Sequence, residues 1–316
     1  MTASLGHQGI RGERLNLQRE QAKVGLYSGA KEVPVWIRIV SSFLLPLLLL
    51  ALGILMTPEM IAASPSEGRF CFTVVYDNYG ALPGLTTGWG FGCVLETPAK
   101  TILFDTGGDG SVLLSNMEKL NISPQDIDIV VISHIHADHL GGLGRFLGKN
   151  KDVEVYIPAS FPISIEEDIR SFGAECHRVG KVTRIARNVF STGEMGIGIK
   201  EQSLVCDTMR GLIVITGCAH PGIVSIIKRA KEICPGRDVH LAMGGFHLGG
   251  ASDSKLREII KEFRNLGVQR TGPCHCSGNR CRELFKREYQ ENYVDAGVGR
   301  IVTLEHTKDP KASISQ

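Results

Sequence analysis

The amino-acid sequence predicts an α/β protein whose sheets are covered by helices. From Phe70 onward, short β-branched runs alternate with amphipathic helical segments, which is the pattern of layered α/β folds. The 316 residues include 43% hydrophobic and 22% charged residues, so the chain can bury a large core and is not a disordered polymer. The 37 glycines favour tight turns and close backbone contacts over a helical bundle.

The elements follow in order along the chain. Strands are predicted at residues 70–76, 93–96, 101–104, 127–132, 153–157, 212–216, 240–243 and 268–271. Helices are predicted at residues 111–120, 221–233 and 252–266, where the apolar side chains have helical spacing. The third strand ends in the turn sequence Asp105-Thr106-Gly107-Gly108. Residues 65–306 are therefore expected to form one folded domain, and residues 307–316 a polar tail.

The N-terminal segment differs in composition from the rest. Residues 39–58 carry no charge, and about 20 helical residues span the roughly 30 Å hydrocarbon layer of a membrane. Residues 1–38 carry six basic and three acidic side chains, an imbalance that predicts an N-terminus held inside and a domain delivered outside. We therefore expect an exported protein, periplasmic or extracellular, in which residues 1–64 form a basic segment followed by a hydrophobic signal or anchor helix.

Three versions of this segment remain open. It is an uncleaved transmembrane anchor that holds the protein at the membrane, a signal peptide cut near Ala62-Ala63-Ser64, or a shorter signal peptide translated from near Val33 or Val35. The net charge of +2 is too small for a nucleic-acid-binding surface, and its excess lies in residues 1–38. We expect no nucleic-acid partner and, with the oligomeric state left open, a small-molecule substrate.

A metal-binding pattern follows the fourth predicted strand. Three histidines and an aspartate lie within six residues, namely His134, His136, Asp138 and His139. Neutral imidazoles and a carboxylate are ligands for Zn²⁺ or similar cations. His134 and His136 are two residues apart in an extended segment, so they point to the same side and can share one metal. The turn that follows can bring Asp138 and His139 to a second metal, and Gly141-Gly142 lets the backbone leave the crowded site.

Three more histidines follow predicted strands in the second half of the chain. His220 comes after the strand at residues 212–216, and His275 comes after the strand at residues 268–271. Because strand ends meet at one edge of a sheet, we expect both imidazoles to converge on the first cluster as ligands. His247, which follows the strand at residues 240–243, is a further candidate, either as a ligand or as a substrate contact.

These residues resemble the metallo-β-lactamase superfamily, whose signature is H-x-H-x-D-H after a strand. Residues 101–107 are similar to the strand and Asp-Thr-Gly segment that precedes this signature in the superfamily. Residues 75–78, 215–222, 244–248 and 273–276 resemble the branch named for dihydropterin ribofuranosylaminobenzene phosphate synthase. The resemblance covers residues 70 to 304.

The resemblance implies an αββα sandwich with a site for two divalent metal ions along one edge of the sheets. The first metal would be held by His134, His136 and His220, and the second by Asp138, His139 and His275. Zn²⁺ is the expected metal, with Mn²⁺ or Fe as alternatives. Asp105 would orient a ligand histidine without touching the metal.

The chain departs from the superfamily pattern at one place. Many members have an aspartate that bridges both metals after a strand in the second half of the chain. Here the corresponding strand ends in Gly217-Cys218, with no carboxylate. Either the Cys218 thiolate or His220 takes that place, or only a water bridges the metals.

The expected activity is metal-dependent hydrolysis of an ester, phosphoester or lactam-like bond. A pair of cations would lower the pKa of a water to about 7, and Asp138 would orient this water or receive its proton. One alternative is a transferase related to the synthase branch, which export disfavours because pterin and sugar-phosphate substrates are cytosolic. The other alternative is a non-catalytic module that uses the metal site for binding or sensing.

The nine cysteines are the last open feature of the sequence. In an exported protein, disulfides persist, and five cysteines are candidates for them: Cys71, Cys93, Cys176, Cys206 and Cys234. Cys274, Cys276 and Cys281 surround His275 with spacing that also suits a separate zinc or iron–sulfur site. A disulfide is the favoured interpretation of these three thiols.

Overall fold

The computed structural model describes residues 68–304, and its strands form two sheets. The strands are β1 Phe70–Asp77, β2 Phe91–Glu96, β3 Thr101–Phe104, β4 Ile129–Val131, β5 Glu154–Pro158, β6 Glu175–Val179, β7 Thr183–Ala186, β8 Val189–Ser191, β9 Leu204–Thr208, β10 Gly211–Thr216, β11 Val239–Gly245, β12 Arg270–Cys274 and β13 Ile301–Leu304. The first sheet has the order β13-β1-β2-β3-β4-β5-β6, and the second has the order β12-β11-β10-β9-β8-β7.

The helices lie between these strands. They are α1 Gly110–Lys119, α2 Ala137–Leu140, α3 Leu143–Leu147, α4 Ile163–Ser171, α5 Ile223–Ile233, α6 Asp253–Asn265 and α7 Asn279–Tyr289, with 3₁₀ turns at Pro124–Asp126, His275–Ser277 and Gln290–Asn292. Two of them begin at side chains that satisfy free backbone N–H groups. Asp109 accepts the N–H of Ser111 before α1, and Ser252 accepts the N–H of Lys255 before α6.

The core has three layers, which together make an αββα sandwich. Side chains alternate across each strand, so Ile213 and Ile215 of β10 pack between the sheets, whereas Leu212 and Val214 pack under α5 and α6. A third cluster, which includes Leu113 of α1, covers the outer face of the first sheet. Each such buried aliphatic side chain stabilises the fold by about 1.5–3 kcal/mol. The predicted α/β class and the two covered sheets are confirmed.

The strands that bear on the site are parallel. In the first sheet, β3, β4, β5 and β6 are parallel neighbours, and in the second sheet β10, β11 and β12 are parallel neighbours. The carboxyl ends of parallel strands open on the same edge of a sheet, so segments that follow them are brought together. Each of the segments that carry the candidate histidines follows one of these parallel strands.

The predicted boundaries agree with the observed ones where the hydrophobic pattern is strong. The strand at residues 101–104 has the predicted bounds, and the strand predicted at residues 268–271 begins two residues later as β12. Five strands, β6 to β9 and β13, and the helices α2, α3, α4 and α7 were not predicted. Strand β6 has charged side chains between its apolar ones, and α7 is strongly polar with only four buried side chains, so neither has a strong apolar pattern.

The predicted signal or anchor segment, residues 1–64, and the polar tail, residues 307–316, lie outside the described residues. In residues 68–304, none of the helices has the length and apolar character needed to cross a membrane.

The predicted disulfides are wrong, because all nine cysteines, which all lie in the described part of the chain, are free thiols. Their side chains occupy different layers of the sandwich. Cys93 and Cys206 lie between the sheets, whereas Cys176 and Cys234 lie beneath the helices on opposite outer faces.

The proposed separate metal site or disulfide at Cys274, Cys276 and Cys281 is also not formed. Cys274 packs in the core between the sheets, and Cys281 packs in the cluster under the helices of the second sheet. The two thiols therefore lie on opposite faces of one sheet, which no single metal ion can reach. Cys276 lies at the edge, where its Sγ is 3.7 Å from the carbonyl oxygen of Cys218.

Candidate metal centre

The first group of candidate ligands consists of three imidazoles, those of His134, His136 and His220. Their ring centroids are 4.7, 4.8 and 4.9 Å apart, so the three rings form a nearly equilateral triangle. One ring nitrogen from each lies within 4.8 Å of the others. His134 Nε2 is 3.1 Å from His136 Nδ1, and His220 Nε2 is buried without a hydrogen-bond partner. Three converging nitrogens with an unpaired buried one are suited to a divalent cation.

The second group consists of a carboxylate, two imidazoles and a thiol: Asp138, His139, His275 and Cys218. Asp138 Oδ2 is 3.2 Å from His275 Nε2 and 3.7 Å from His139 Nε2. His275 Nε2 is buried and makes no hydrogen bond. His139 Nε2 is 3.3 Å from Cys218 Sγ. The two groups adjoin, since the rings of His134 and His139 are 4.2 Å apart.

A hydrogen-bonded chain just after the ends of β3 and β4 fixes how two of these histidines present their nitrogens. Asp105, which follows β3, is fully buried and accepts three hydrogen bonds. Its Oδ1 accepts the backbone N–H of Ser133 at 2.7 Å, and its Oδ2 accepts the hydroxyl of Ser133 and Nδ1–H of His139, both at 2.7 Å. Because the Ser133 hydroxyl donates to Asp105, its oxygen is left to accept Nδ1–H of His134 at 2.8 Å. Both imidazoles therefore turn an unprotonated Nε2 to the site.

His275 is oriented in the same way from the other side. Its Nδ1 lies 3.0 Å from Asn78 Oδ1, and the Asn78 amide donates back to the His275 carbonyl at 3.4 Å. Nδ1–H donation to Asn78 leaves Nε2 free to face Asp138. The exposed ring of Trp89 packs on His275, with ring centroids 4.8 Å apart. An aromatic surface thus stands at the mouth of the site beside the second group of ligands.

The electrostatics keep His134, His220 and Asp138 in ligand form, whereas the pKa of His139 is shifted toward the protonated imidazole. Burial and the neighbouring imidazoles hold the pKa of His134 far below its usual value and lower the pKa of His220 to about 4. Burial would raise the pKa of Asp138, but the imidazoles of His275 and His139 outweigh it and hold this pKa well below its usual range. Burial would lower the pKa of His139, but the Asp105 carboxylate raises it. Neutral imidazoles and an ionised carboxylate are what a cation requires.

Glu201 is a site residue that the sequence analysis missed. Its side chain is only 1% exposed, and its two oxygens accept the backbone N–H groups of the next loop: Oε1 those of Cys218 and Ala219, at 2.9 and 2.8 Å, and Oε2 that of His220, at 2.8 Å. The loop needs this support because Ala219 has a positive φ of 59°, a backbone angle that residues other than glycine rarely adopt. Glu201 is a positioning residue for His220 and Cys218, and no motif in the sequence marked it.

We expect Glu201→Gln to displace His220 from the first group. If the NH₂ group of the glutamine takes the place of Oε2, it faces the N–H of His220, and that hydrogen bond is lost. The buried N–H is then unpaired, which costs about 1–3 kcal/mol of folding free energy. Cation content and the free energy of unfolding in denaturant would measure both effects. Glu258→Gln on the surface of α6, whose side chain is 63% exposed, is the matched control and should change stability by less than about 0.5 kcal/mol. Unchanged cation content in Glu201→Gln would contradict the positioning role.

The short helix α2 brings Asp138 and His139 round from the strand end, as the sequence predicted. The two residues after it, Gly141 and Gly142, have ordinary helical φ values of −62° and −79°. Glycine is needed at these positions because the backbone there lies close to neighbouring atoms. A side chain on Gly142 would lie 2.1 Å from the Thr106 carbonyl oxygen, and one on Gly141 would lie 2.5 Å from that of Gly108. The backbone of α2 therefore packs directly against the turn after Asp105, which holds the second group of ligands in place.

His247 lies beside the first group. Its ring is 4.4 Å from that of His220, and its ligand nitrogen belongs to a third set with Cys218 and His220. His247 is exposed and has a positive φ of 54°. This placement suits either of its predicted roles, an extra ligand or a contact to substrate.

The structure thus brings together every residue that the sequence analysis singled out for the site. The residues it missed are Ser133, Asn78 and Glu201, which orient ligands. Ser133 lies directly beside the histidine motif and Asn78 lies in a segment that carried the family resemblance, whereas Glu201 had no such signal. The chemistry of the donor set and its unpaired buried nitrogens fit two divalent cations, which could activate a water molecule.

The chain matches known proteins over this same region. The sequence profile described as the metallo-beta-lactamase superfamily matches residues 93–177. The 7,8-dihydropterin-6-methyl-4-(β-D-ribofuranosyl)-aminobenzene-5′-phosphate synthase of Methanocaldococcus jannaschii is 30% identical over 247 residues, which cover 64% of this chain and 84% of that protein. An exodeoxyribonuclease of Streptococcus pneumoniae is 28% identical over 100 residues, 32% of this chain and 34% of its own.

Solved structures share the fold. One described as a metal-dependent hydrolase of the β-lactamase superfamily has a TM-score of 0.63 and 29% identity, and covers 75% of this chain and 99% of its own. The metallo-β-lactamase fold protein YhfI of Bacillus subtilis has a TM-score of 0.58 at 15% identity, and covers 74% of this chain and 99% of its own. With the two sheets, the histidine motif and these matches, the chain belongs to the metallo-β-lactamase superfamily.

Proposed function

We propose that the protein is a metal-dependent hydrolase that cleaves an ester, phosphoester or lactam-like bond with an activated water. The observation that carries this proposal is the meeting of two ligand groups at the carboxyl ends of the strands, with a solvent-accessible carboxylate in the second group. Asp138 belongs to the second group, yet 21% of its side chain is exposed, whereas His139 and His275 beside it have none of their side chains exposed. A site of this kind can hold cations and still admit a substrate.

The proposed roles follow from the geometry of each group. His134, His136 and His220 would hold one cation, and Asp138, His139, His275 and Cys218 the other. When bound, divalent cations supply Lewis-acid chemistry, lowering the pKa of water and polarising the oxygen of the bond under attack. Zn²⁺ suits this mixture of nitrogen, oxygen and sulfur donors.

In this proposal, Asp138 orients the attacking water. Its carboxylate reaches solvent, and the imidazoles of His275 and His139 hold its pKa well below its usual range, so it is ionised at neutral pH. An ionised carboxylate accepts a hydrogen bond from water and aims the water oxygen away from itself. The low pKa makes Asp138 a weak base, so its main contribution is orientation and not strong proton abstraction.

The relatives support the reaction class. The solved structure with a TM-score of 0.63 is described as a metal-dependent hydrolase, and two relatives that match about a third of the chain are named as an exodeoxyribonuclease and a ribonuclease Z. These names favour phosphoester substrates among the three bond types. Because the proposed substrate is a small molecule, phosphodiesters of low molecular weight are the first compounds to test.

Removal of metal is the test of this proposal. Protein loaded with Zn²⁺ would be assayed on p-nitrophenyl esters, bis-p-nitrophenyl phosphate and a chromogenic β-lactam, before and after dialysis against a chelator. We expect turnover of at least one substrate class, its loss on chelation, and its return when Zn²⁺ is added back. Turnover that survives removal of all metal, or no turnover of any class by fully loaded protein, would contradict the proposal.

A transferase is the second candidate, and the match to the synthase of M. jannaschii favours it. The name of that relative indicates a product that joins a dihydropterin to a ribofuranosylaminobenzene phosphate. Incubation with a dihydropterin donor and this acceptor, followed by mass spectrometry, would distinguish the two activities. The joined product would support transfer, whereas release of the donor group to water alone would support hydrolysis.

We also propose that the folded domain acts outside the cytosol, carried there by residues 1–64. The uncharged stretch at residues 39–58 and the basic residues before it support this location. Cell fractionation combined with protease treatment of intact cells would test it. A domain that fractionates with cytosolic markers would contradict export and would favour the transferase.

A further inference from the structure

Cys218 occupies the point where the candidate ligand groups meet. Its Sγ lies within 4.8 Å of the ligand atoms of Asp138, His139 and His275, and in the other direction within 4.8 Å of those of His220 and His247. One of these atoms, His139 Nε2, lies 3.3 Å from the sulfur. Among the described residues, Cys218 alone belongs both to the second group and to the third set, in which it meets His220 and His247, and His220 in turn belongs to the first group.

The backbone of Cys218 is held firmly in that place. Its N–H donates to Glu201 Oε1 at 2.9 Å, and the residue is only 3% exposed. On its other side, a side chain on Gly245 would lie 3.2 Å from Cys218 Cα, so the neighbouring strand β11 approaches as closely as glycine allows. The backbone of Cys218 is therefore held on both sides, and its thiol hydrogen-bonds with the side chain of Cys276.

Cys276 is a second thiol close by, and it differs from Cys218 in its contacts and in its exposure. Its Sγ lies 3.7 Å from the Cys218 carbonyl oxygen and belongs to none of the ligand sets found in residues 68–304. It is also more exposed than Cys218. Cys276 therefore offers a comparison thiol, since it lies in the loop after β12, hydrogen-bonds with the Cys218 side chain and yet belongs to no ligand set.

We propose that Cys218 is a thiolate ligand shared by the two cation positions, and that this sulfur makes the centre selective for Zn²⁺ and other thiophilic cations over Mn²⁺ and Mg²⁺. The inference rests on the proposed function only in requiring that cations bind, not that hydrolysis occurs. As a sulfur–cation bond forms, the thiol loses its proton to solvent, and no electron transfer is involved. Soft thiolates favour Zn²⁺, whereas carboxylate and water ligands suit Mn²⁺ and Mg²⁺, so a sulfur at the shared position widens the preference for Zn²⁺.

Cobalt substitution tests the sulfur ligand without any substrate. Apoprotein of the full chain would be titrated with Co²⁺, and the near-ultraviolet charge-transfer absorption of a thiolate–Co²⁺ bond would be recorded for wild type, Cys218→Ser and Cys276→Ser. We expect the band in wild type and in Cys276→Ser, and its loss in Cys218→Ser. A band that persists in Cys218→Ser, or that disappears in Cys276→Ser, would overturn the proposal.

Two further measurements guard against a variant that fails to fold. In wild type, Zn²⁺ should protect Cys218 from alkylation in peptide mass spectra, and full alkylation of zinc-loaded protein would overturn the proposal. In Cys218→Asp, a carboxylate replaces the sulfur, and we expect the ratio of Zn²⁺ to Mn²⁺ affinity to fall at least tenfold. An unchanged ratio in folded Cys218→Asp protein would also overturn it.

These outcomes distinguish failure of the sulfur-ligand proposal from failure of the hydrolase proposal. A cobalt–thiolate band in protein that turns over no substrate would support the ligand and count against hydrolysis alone. Chelator-sensitive turnover in protein that shows no such band would do the reverse.

Discussion

Alanine at position 136 is expected to remove one cation per chain and to lower metal-dependent turnover about 10³-fold. His136 supplies one of only three imidazoles in the first group, and two neutral nitrogens hold a divalent cation poorly. Without this cation, the transition state would lose several kcal/mol of Lewis-acid stabilisation. Because each change of about 1.36 kcal/mol alters the rate tenfold, a loss of this size lowers turnover about 10³-fold. The folding cost should be small, because His136 is half-buried at the start of α2 and its side chain makes no capping hydrogen bond there.

Metal content by elemental analysis, together with turnover under zinc saturation, would measure these two effects. His177→Ala is the matched control, because His177 lies on β6, where its ring stacks on Tyr156 at 4.6 Å and takes part in none of the ligand sets. This control should retain both cations and full turnover. If His136→Ala also retains both cations, the first group is not a metal site and the proposed reaction has no basis there.

The fold could be predicted from sequence where side-chain chemistry and periodicity agreed. Strands such as β3 and β10 are continuous apolar runs buried on both faces, so the pattern identified them within a residue or two. The strands β7 and β8 have only four and three residues, and such short segments are stabilised by sheet neighbours instead of by their own composition. The disulfide prediction failed for a related reason, since cysteine spacing does not reveal which layer a thiol faces.

The candidate ligands could be predicted because a cation needs particular side chains close together in the chain or at strand ends. The residues that orient them obey no such rule. Glu201 acts through backbone N–H groups of a loop 17 to 19 positions further along the chain, and a carboxylate can do this from any element that passes nearby. Its role follows only from the three-dimensional packing of the loop after β10 beside β9.

Asparagine at position 105 is expected to weaken the second cation position about 10- to 100-fold and to destabilise the metal-free fold by about 1–3 kcal/mol. Asp105 accepts three hydrogen bonds in a fully buried place, two of them from Ser133 and one from His139. An asparagine has only one accepting oxygen. Whichever way its amide is turned, its NH₂ group faces either the Ser133 backbone N–H or the pair formed by the Ser133 hydroxyl and His139 Nδ1–H.

The consequence for His139 is a change of tautomer. With a donor in place of Oδ2, the imidazole is more stable with an unprotonated Nδ1 that accepts from the amide, and its proton then lies on Nε2. A protonated Nε2 cannot bind a cation, so His139 is lost from the second group while remaining in place. Zinc affinity by chelator competition and thermal unfolding of apoprotein would measure the two effects separately. Asp152→Asn, whose side chain is 88% exposed, should change neither quantity.

The Ser133→Ala variant distinguishes the two hydrogen bonds that orient histidines, from His134 to Ser133 and from His139 to Asp105. It removes the hydroxyl that accepts Nδ1–H of His134 and leaves the bond from His139 to Asp105 intact. The first cation position should therefore weaken in Ser133→Ala, whereas the second should weaken in Asp105→Asn. If both variants lose the same cation, or if Asp105→Asn binds Zn²⁺ as wild type does, tautomer control by Asp105 is wrong. A loss that follows the hydrogen bond removed would show that Asp105, although it belongs to neither ligand set, decides which nitrogen each histidine presents.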